Sequence, residues 1–156
     1  MIEIAIHQLL SESAQKTLET MFFAIPDTVS TDPQRPPGEL IAASLVFQGS
    51  PPGRFGLLVS EALARSLAVN FAGVDDPEQV PPEQVAGVMG ELANMLCGVV
   101  LSELESYNNF DLGAPVPLRV GADEPGPDFA AGSPSTCRLE FPEGALVFFL
   151  SFGETA

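Results

Sequence analysis

The sequence predicts an α+β fold with helices on one face of a mainly antiparallel sheet. Three observations carry that prediction. Segments with helical spacing alternate with short runs rich in apolar, β-branched and aromatic residues. Dense turn chemistry at Gln48-Gly49-Ser50-Pro51-Pro52-Gly53 and at Pro142-Glu143-Gly144 joins neighbouring runs into hairpins. A helix, a loop and a strand pair in the first half are followed by a long helix, a loop and a strand pair in the second. No strong identity joins the halves, so the repeat is one of architecture.

The opening MIEIAI is compatible with a short strand or a helix lead-in. Ser11 and Ser13 are candidate N-caps for AQKTLETMFFA, whose buried stripe should be Leu18, Met21 and Phe22. Pro26 stops that helix, and the proline-rich, polar stretch from Asp27 to Gly38 reads as a loop. LIAASLVF, Leu40 to Phe47, is the first clear strand, and Arg54 to Val59 is its return partner. Ser60 is placed to cap EALARSLAVNFA, with Gly73 at the C′ position.

Asp75 to Pro82 is a second loop. Pro82 and Glu83 suit the first turn of a helix, where a missing N–H is harmless and a carboxylate meets the positive dipole end. That helix should run from Pro82 to about Glu105. A strand around Val116 to Val120 and a Gly/Pro/Ser-rich loop from Gly121 to Ser135 come next. Thr136 to Phe141 and Ala145 to Phe152 close the chain as a strand pair. The last of these, ALVFFLSF, is apolar enough to be a central strand, or at an edge to invite pairing with another chain.

A chain of 156 residues, 46% apolar, is expected to form one domain over 1–156 with a real core, not a disordered polymer. Uninterrupted apolar stretches fall far short of the roughly 20 residues of a membrane span. The N-terminal apolar run has no basic region before it and contains Glu3, unlike a signal peptide, so a cytoplasmic location is expected. Twenty-one acidic residues against six basic ones give a formal charge of −15, which argues against phosphate-neutralising contacts with nucleic acid and against anionic membrane surfaces. Cys97 and Cys137 lie far apart and His7 is the one histidine, too few ligands for a zinc site; buried, reduced thiols are expected. Asp75-Asp76 reads as a solvated loop pair, and no acidic cluster is arranged as a metal cage.

The long second-half helix holds the informative pattern. At about 100° per residue, Val85, Val88, Met89, Leu92, Leu96 and Val99 gather on one side. Gly87, Glu91, Asn94 and Gly98 gather on the other. Interior glycines cost a helix roughly 1 kcal/mol each against alanine. Close approach by an outside partner and tight packing within the domain each account for Gly87 and Gly98. Glu91 and Asn94, one turn apart, present an anionic acceptor beside a bifunctional amide. Pro117 follows Asn94 after a gap of 22 residues.

GELANMLCGVVLSEL followed by Pro117 resembles the chemotaxis phosphatases of the CheC, CheX and FliY group, in which Asp or Ser precedes Glu-x-x-Asn and a proline follows 22 residues later. Glu91, Asn94 and Pro117 match; the first position falls on Gly87. Thr17 and Thr20 stand at the corresponding places of the first-half helix, so one site per chain is expected, as in CheX. The resemblance implies hydrolysis of the aspartyl-phosphate of a CheY-like response regulator, with Asn94 positioning water and Glu91 pairing with a partner lysine. It implies Gly87 and Gly98 as the surface the partner approaches, Pro117 as a structural element of the motif, and Mg²⁺ held by the regulator and not by this chain. It also implies a homodimer formed by strand exchange. The Gly87 departure supports an alternative, a non-catalytic regulator-binding or flagellar-switch-type scaffold of the same fold.

Overall fold

The computed structural model describes residues 2–49, 51–104, 110–132 and 134–153, leaving aside the side chains of 2–5 and of Pro77. The chain order is α1 (Ile2–Phe22), β1 (Thr28–Ser30), β2 (Leu40–Gln48), β3 (Gly53–Ser60), α2 (Glu61–Ala72), α3 (Pro82–Leu104), β4 (Asp111–Leu112), β5 (Val116–Val120), β6 (Ser135–Phe141) and β7 (Gly144–Phe152). All the strands join one antiparallel sheet in the order β1-β6-β7-β3-β2-β4, with β5 also paired to β2. The α+β expectation holds.

Strand alternation decides the two faces. Ile41, Ala43, Leu45 and Phe47 of β2, with Phe55, Leu57 and Val59 of β3 and Leu146, Phe148 and Leu150 of β7, point to the side that all three helices cover. Leu10, Ala14, Leu18 and Phe22 of α1 and Leu63, Ala64, Leu67 and Ala68 of α2 meet them there. The opposite side carries a smaller cluster of Leu40, Ala42, Leu58, Val120, Val147 and Phe149. β7 is buried on both sides from Ala145 to Leu150 and lies between β6 and β3. Of its two possible places, the strand takes the central one, which suits its unbroken apolar run.

The loop after β5 folds back over the second face. Phe129 packs on the cluster there, its ring centroid 5.9 Å from that of Phe149. A Cβ on Gly56 would fall 2.6 Å from the Phe129 ring, so glycine is what admits the ring. Arg35 donates from its guanidinium to the carbonyls of Glu124, Pro125 and Gly121, pinning the start of this loop.

Several local expectations are corrected. The opening residues are helix, so Ser11 and Ser13 are interior positions of α1 and not caps. Met21 is 44% exposed, whereas Leu18 and Phe22 are fully buried as expected. Ser60 stands at the N-cap of α2, but its hydroxyl makes no cap bond and instead accepts from the Ala145 N–H at 2.9 Å. That bond links α2 to the β6–β7 turn. Thr28–Ser30 pairs with β6 inside what reads as a loop, and Asp111–Leu112 pairs with the end of β2. Gly73 takes the left-handed C′ conformation as expected. Glu105, the expected end of α3, lies outside the described residues.

Phe23 ends α1 with φ of +53°, a conformation costing a bulky L-residue about 1–2 kcal/mol. The turn lets the Ala24 N–H reach the Leu18 carbonyl at 3.0 Å, and Asn70 Nδ2 donates to the Phe22 carbonyl at 2.8 Å. α3 has the length and mean hydropathy, 1.6 over its most apolar window, of a membrane-crossing helix. The fold accounts for this: ten of its residues are buried within the protein.

A Gly56→Val side chain would occupy the space of the Phe129 ring. It is expected to release the covering loop, seen as faster chymotryptic cleavage after Phe129 with the sheet intact by circular dichroism. A cleavage rate equal to that of the parent chain would show that Phe129 does not need the glycine.

Candidate functional site

α3 is placed by what it buries. Val85, Val88, Met89, Leu92, Ala93, Leu96, Cys97 and Val100 sit in the main core against the sheet. This locks the rotation of the helix and turns Glu91 outward, where it is exposed; Asn94, one turn on, is half-buried. Among the described residues neither side chain has a hydrogen-bond or ion-pair partner within the protein. An unpaired carboxylate and carboxamide on one rigid face leave one anionic acceptor, one amide donor and one amide acceptor open to another molecule.

The glycines divide into two kinds. A Cβ at Gly87 would meet nothing within 4 Å, so the helix backbone there lies open one turn before Glu91. Gly98 is half-buried, and a Cβ would lie 3.9 Å from Leu112 Cδ2. That is ordinary van der Waals contact, so a methyl would fit at Gly98 and packing within the domain does not demand the glycine. A third glycine, Gly90, is buried, with Pro115 3.5 Å and Pro117 Cδ 3.8 Å from its Cβ position. Helical projection places Gly90 between the two faces, so its role was visible only once β5 was in place. Val99, expected in the buried stripe, is 37% exposed because it borders an open groove beside α1.

Pro117 lies in β5, an edge strand where a residue without an N–H is tolerated. It is exposed, and its Cδ lies near Gly90 of α3, the residue before Glu91. Arg119, next but one along the same face, clamps this arrangement: it donates to Glu61 Oε2 at 2.8 Å and to the Pro82 carbonyl at 3.3 Å. The strand is thereby tied to the first turns of both α2 and α3. Ala43 follows Thr20 after the gap by which Pro117 follows Asn94, and Ala43 and Pro117 are partners in the β2–β5 ladder. The architectural repeat thus has a geometric centre between these residues. On α1, Thr17 is buried and Thr20 is exposed, its hydroxyl donating to the Lys16 carbonyl at 2.7 Å, so neither reproduces the Glu91–Asn94 chemistry.

The remaining reactive groups stand apart. Cys97 and Cys137 are buried free thiols, and desolvation pushes both up to about 12 from an ordinary 9.0. His7 Nδ1 lies 3.1 Å from the Thr136 carbonyl and joins α1 to β6. Asp76 accepts from the Glu78 N–H at 2.9 Å, closing the short turn at Pro77–Gln79. No group of three His, Cys, Asp or Glu side chains converges among the described residues.

Residues 41–122 match the family model for the chemotaxis phosphatase CheX. No curated protein sequence matches the chain. Among solved structures, the chemotaxis protein CheX of Vibrio vulnificus is similar, with a TM-score of 0.71 and 19% identity over 94% of this chain and 95% of that one. The CheX–CheY–BeF₃–Mg²⁺ complex of Borrelia burgdorferi matches with a TM-score of 0.71 and 15% identity over 94% of this chain and 97% of that one. FliY of Thermotoga maritima matches with a TM-score of 0.63 and 18% identity over 96% of this chain and 87% of that one. At these identities the structural likeness establishes the fold, whereas the family model spans more than half the sequence and includes the α3 face and Pro117: the chain belongs to the CheX family of chemotaxis phosphatases.

Proposed function

We propose that this chain hydrolyses the aspartyl-phosphate of a CheY-like response regulator, using Asn94 and Glu91 of α3. The observation that carries this reading is the exposed Glu91 beside a half-exposed Asn94, neither partnered among the described residues, on a helix whose opposite face is locked in the core. An acyl phosphate is labile, and its hydrolysis is chiefly a matter of holding water in line with the leaving oxygen. The Asn94 amide orients that water by accepting and donating without a charge of its own. A carboxylate at the same place would repel the phosphoryl group. Glu91 pairs with a lysine beside the partner's phosphorylated aspartate and sets the docking register. Mg²⁺ belongs to the regulator's site, and the reaction takes place in the cytoplasm, where that partner is found.

The CheX family assignment supports the reaction class, and the complex formed by the Borrelia CheX supports a CheY-like partner. One feature favours a second reading. Gly87 leaves no side chain at the first motif position, and the fold is shared with FliY. In a scaffold that binds the regulator without turning it over, Asn94 would have no effect on phosphate loss.

Asn94→Ala is expected to lower the accelerated decay of phosphorylated regulator by about 10²-fold, the usual loss on removing a positioned catalytic group, while leaving the thermal midpoint unchanged. The check is radiolabelled phosphate release with and without the variant. No acceleration by the parent chain over a panel of cognate regulators would favour the scaffold.

Gly87→Ala should stabilise α3 by roughly 1 kcal/mol, since its new methyl meets only solvent. If a partner surface approaches there, the same variant should bind regulator less tightly. Denaturant titration and binding to the BeF₃-activated regulator read the two effects separately, and a stabilised variant with unchanged affinity would take Gly87 out of the interface.

We also propose a homodimer built on β5. That strand pairs with β2 on one side only, and its residues Val116 and Leu118 are 62% and 53% exposed. A second copy pairing along this edge, with exchange of strand contacts, would cover both. Sedimentation velocity is expected to give the mass of two chains, and Leu118→Asp that of one; a monomer at every concentration would end the proposal.

A further inference from the structure

The trough between α1 and α3 carries an inference independent of the Glu91–Asn94 reading. It has a volume of about 530 Å³ and opens to solvent. Along α1 it runs from Leu9 to Met21, a distance of roughly 18 Å at about 1.5 Å per residue. Met95, Val99 and Glu103 of α3 form the facing wall.

Two features separate it from an ordinary helix–helix furrow. Ser13 and Thr17 line it and are only 6% and 7% exposed, yet neither hydroxyl forms a hydrogen bond among the described residues. Buried hydroxyls are normally satisfied, so two in line point to a polar partner from outside. The apolar walls are also left uncovered: Met21 and Val99 are exposed, and Met95 is half-buried. Methionine on both walls gives a surface that adapts to what lies on it. Beyond Met21 the apolar surface continues at the end of α1, where Phe23, with its left-handed backbone, is 74% exposed.

Shape and charge select the occupant. A length of roughly 18 Å fits about three turns of helix laid alongside α1 and α3. The rim carries the carboxylates of Glu12 and Glu103 against the single ammonium of Lys16, in a chain of formal charge −15. We propose that this trough is the docking site for a basic amphipathic helix of a partner protein, its apolar stripe against Met21, Met95 and Val99. Its lysines or arginines meet Glu12 and Glu103, and a polar side chain meets Ser13 and Thr17. Since Met95 adjoins Asn94 in sequence and follows Glu91 by one helical turn, the bound helix would lie next to the α3 face.

The probe is a fluorescein-labelled twelve-residue peptide with leucine at helical i, i+3, i+4, i+7 spacing and lysine elsewhere, compared with its glutamate counterpart. Anisotropy with the full chain should show saturable binding of the lysine peptide, about tenfold or more tighter than the glutamate peptide at low salt. The gap should narrow near 1 M salt, where the Debye length falls to about 3 Å. Methionine methyl resonances of Met21 and Met95 should shift on binding while that of the fully buried Met89 stays. Val99→Lys should weaken the lysine peptide at least tenfold more than Val46→Lys, the same charge change on the far side of the sheet, with both variants folded by thermal melting.

Equal affinity for the two peptides, shifts absent from Met21 and Met95, or equal effects of the two lysine variants would overturn the proposal. So would a change of oligomeric mass caused by Val99→Lys alone, which would make the occupant a second copy of this chain.

Discussion

Burial of one side of α3 against the sheet is the constraint from which the rest of the site follows. Val85, Met89, Leu92, Leu96 and Val100 are essentially inaccessible, and a rotation that exposed any of them would carry a charged carboxylate toward the core. Both changes are unfavourable: the first gives up apolar burial at roughly 25 cal/mol per Å², and the second desolvates an ion. The outward aim of Glu91 and Asn94 therefore needs no dedicated hydrogen bond. It is a by-product of the core, which is why the helix can leave both groups without a partner among the described residues.

The strands next to α3 set how closely other parts of the chain approach it. Pro115 and Pro117 stand about a methyl group away from Gly90, and Arg119 of β5 ties that strand to Glu61 and to the Pro82 carbonyl. The proline is tolerated because β5 is an edge strand. The exposed motif proline and the buried Gly90 are neighbours across β5 and α3, whereas Gly87 has open space around it. Two glycines of one helix thus have different surroundings, which composition does not report.

The second face of the sheet shows how a strongly apolar strand is kept from associating. β7 lies between two partners, and its back-face residues Val147 and Phe149 are covered by a loop anchored through Arg35 and capped by Phe129. The loop composition, rich in Gly, Pro and Ser, suggested only irregular backbone. The attachment comes from a guanidinium far away in the sequence and from one aromatic ring, contacts that local patterning does not report.

Periodicity and turn chemistry determined most of the elements by themselves: the hairpin β2–β3, helices α2 and α3, the pair β6–β7, and the shared face of Glu91 and Asn94. These are local properties, set by helical and strand geometry and by glycine and proline at the turns. The tertiary structure decided what depends on which neighbour is absent or present. Met21 and Val99 are apolar at core spacing but lie on a trough where α1 and α3 part, so both stay partly exposed. Ser60 sits where a cap belongs, yet finds a better partner in the Ala145 N–H across the chain. Short strands β1 and β4 exist only because a longer strand offers free backbone groups beside them. A sequence states what each residue prefers; which preference is met depends on the surface that folding brings opposite it.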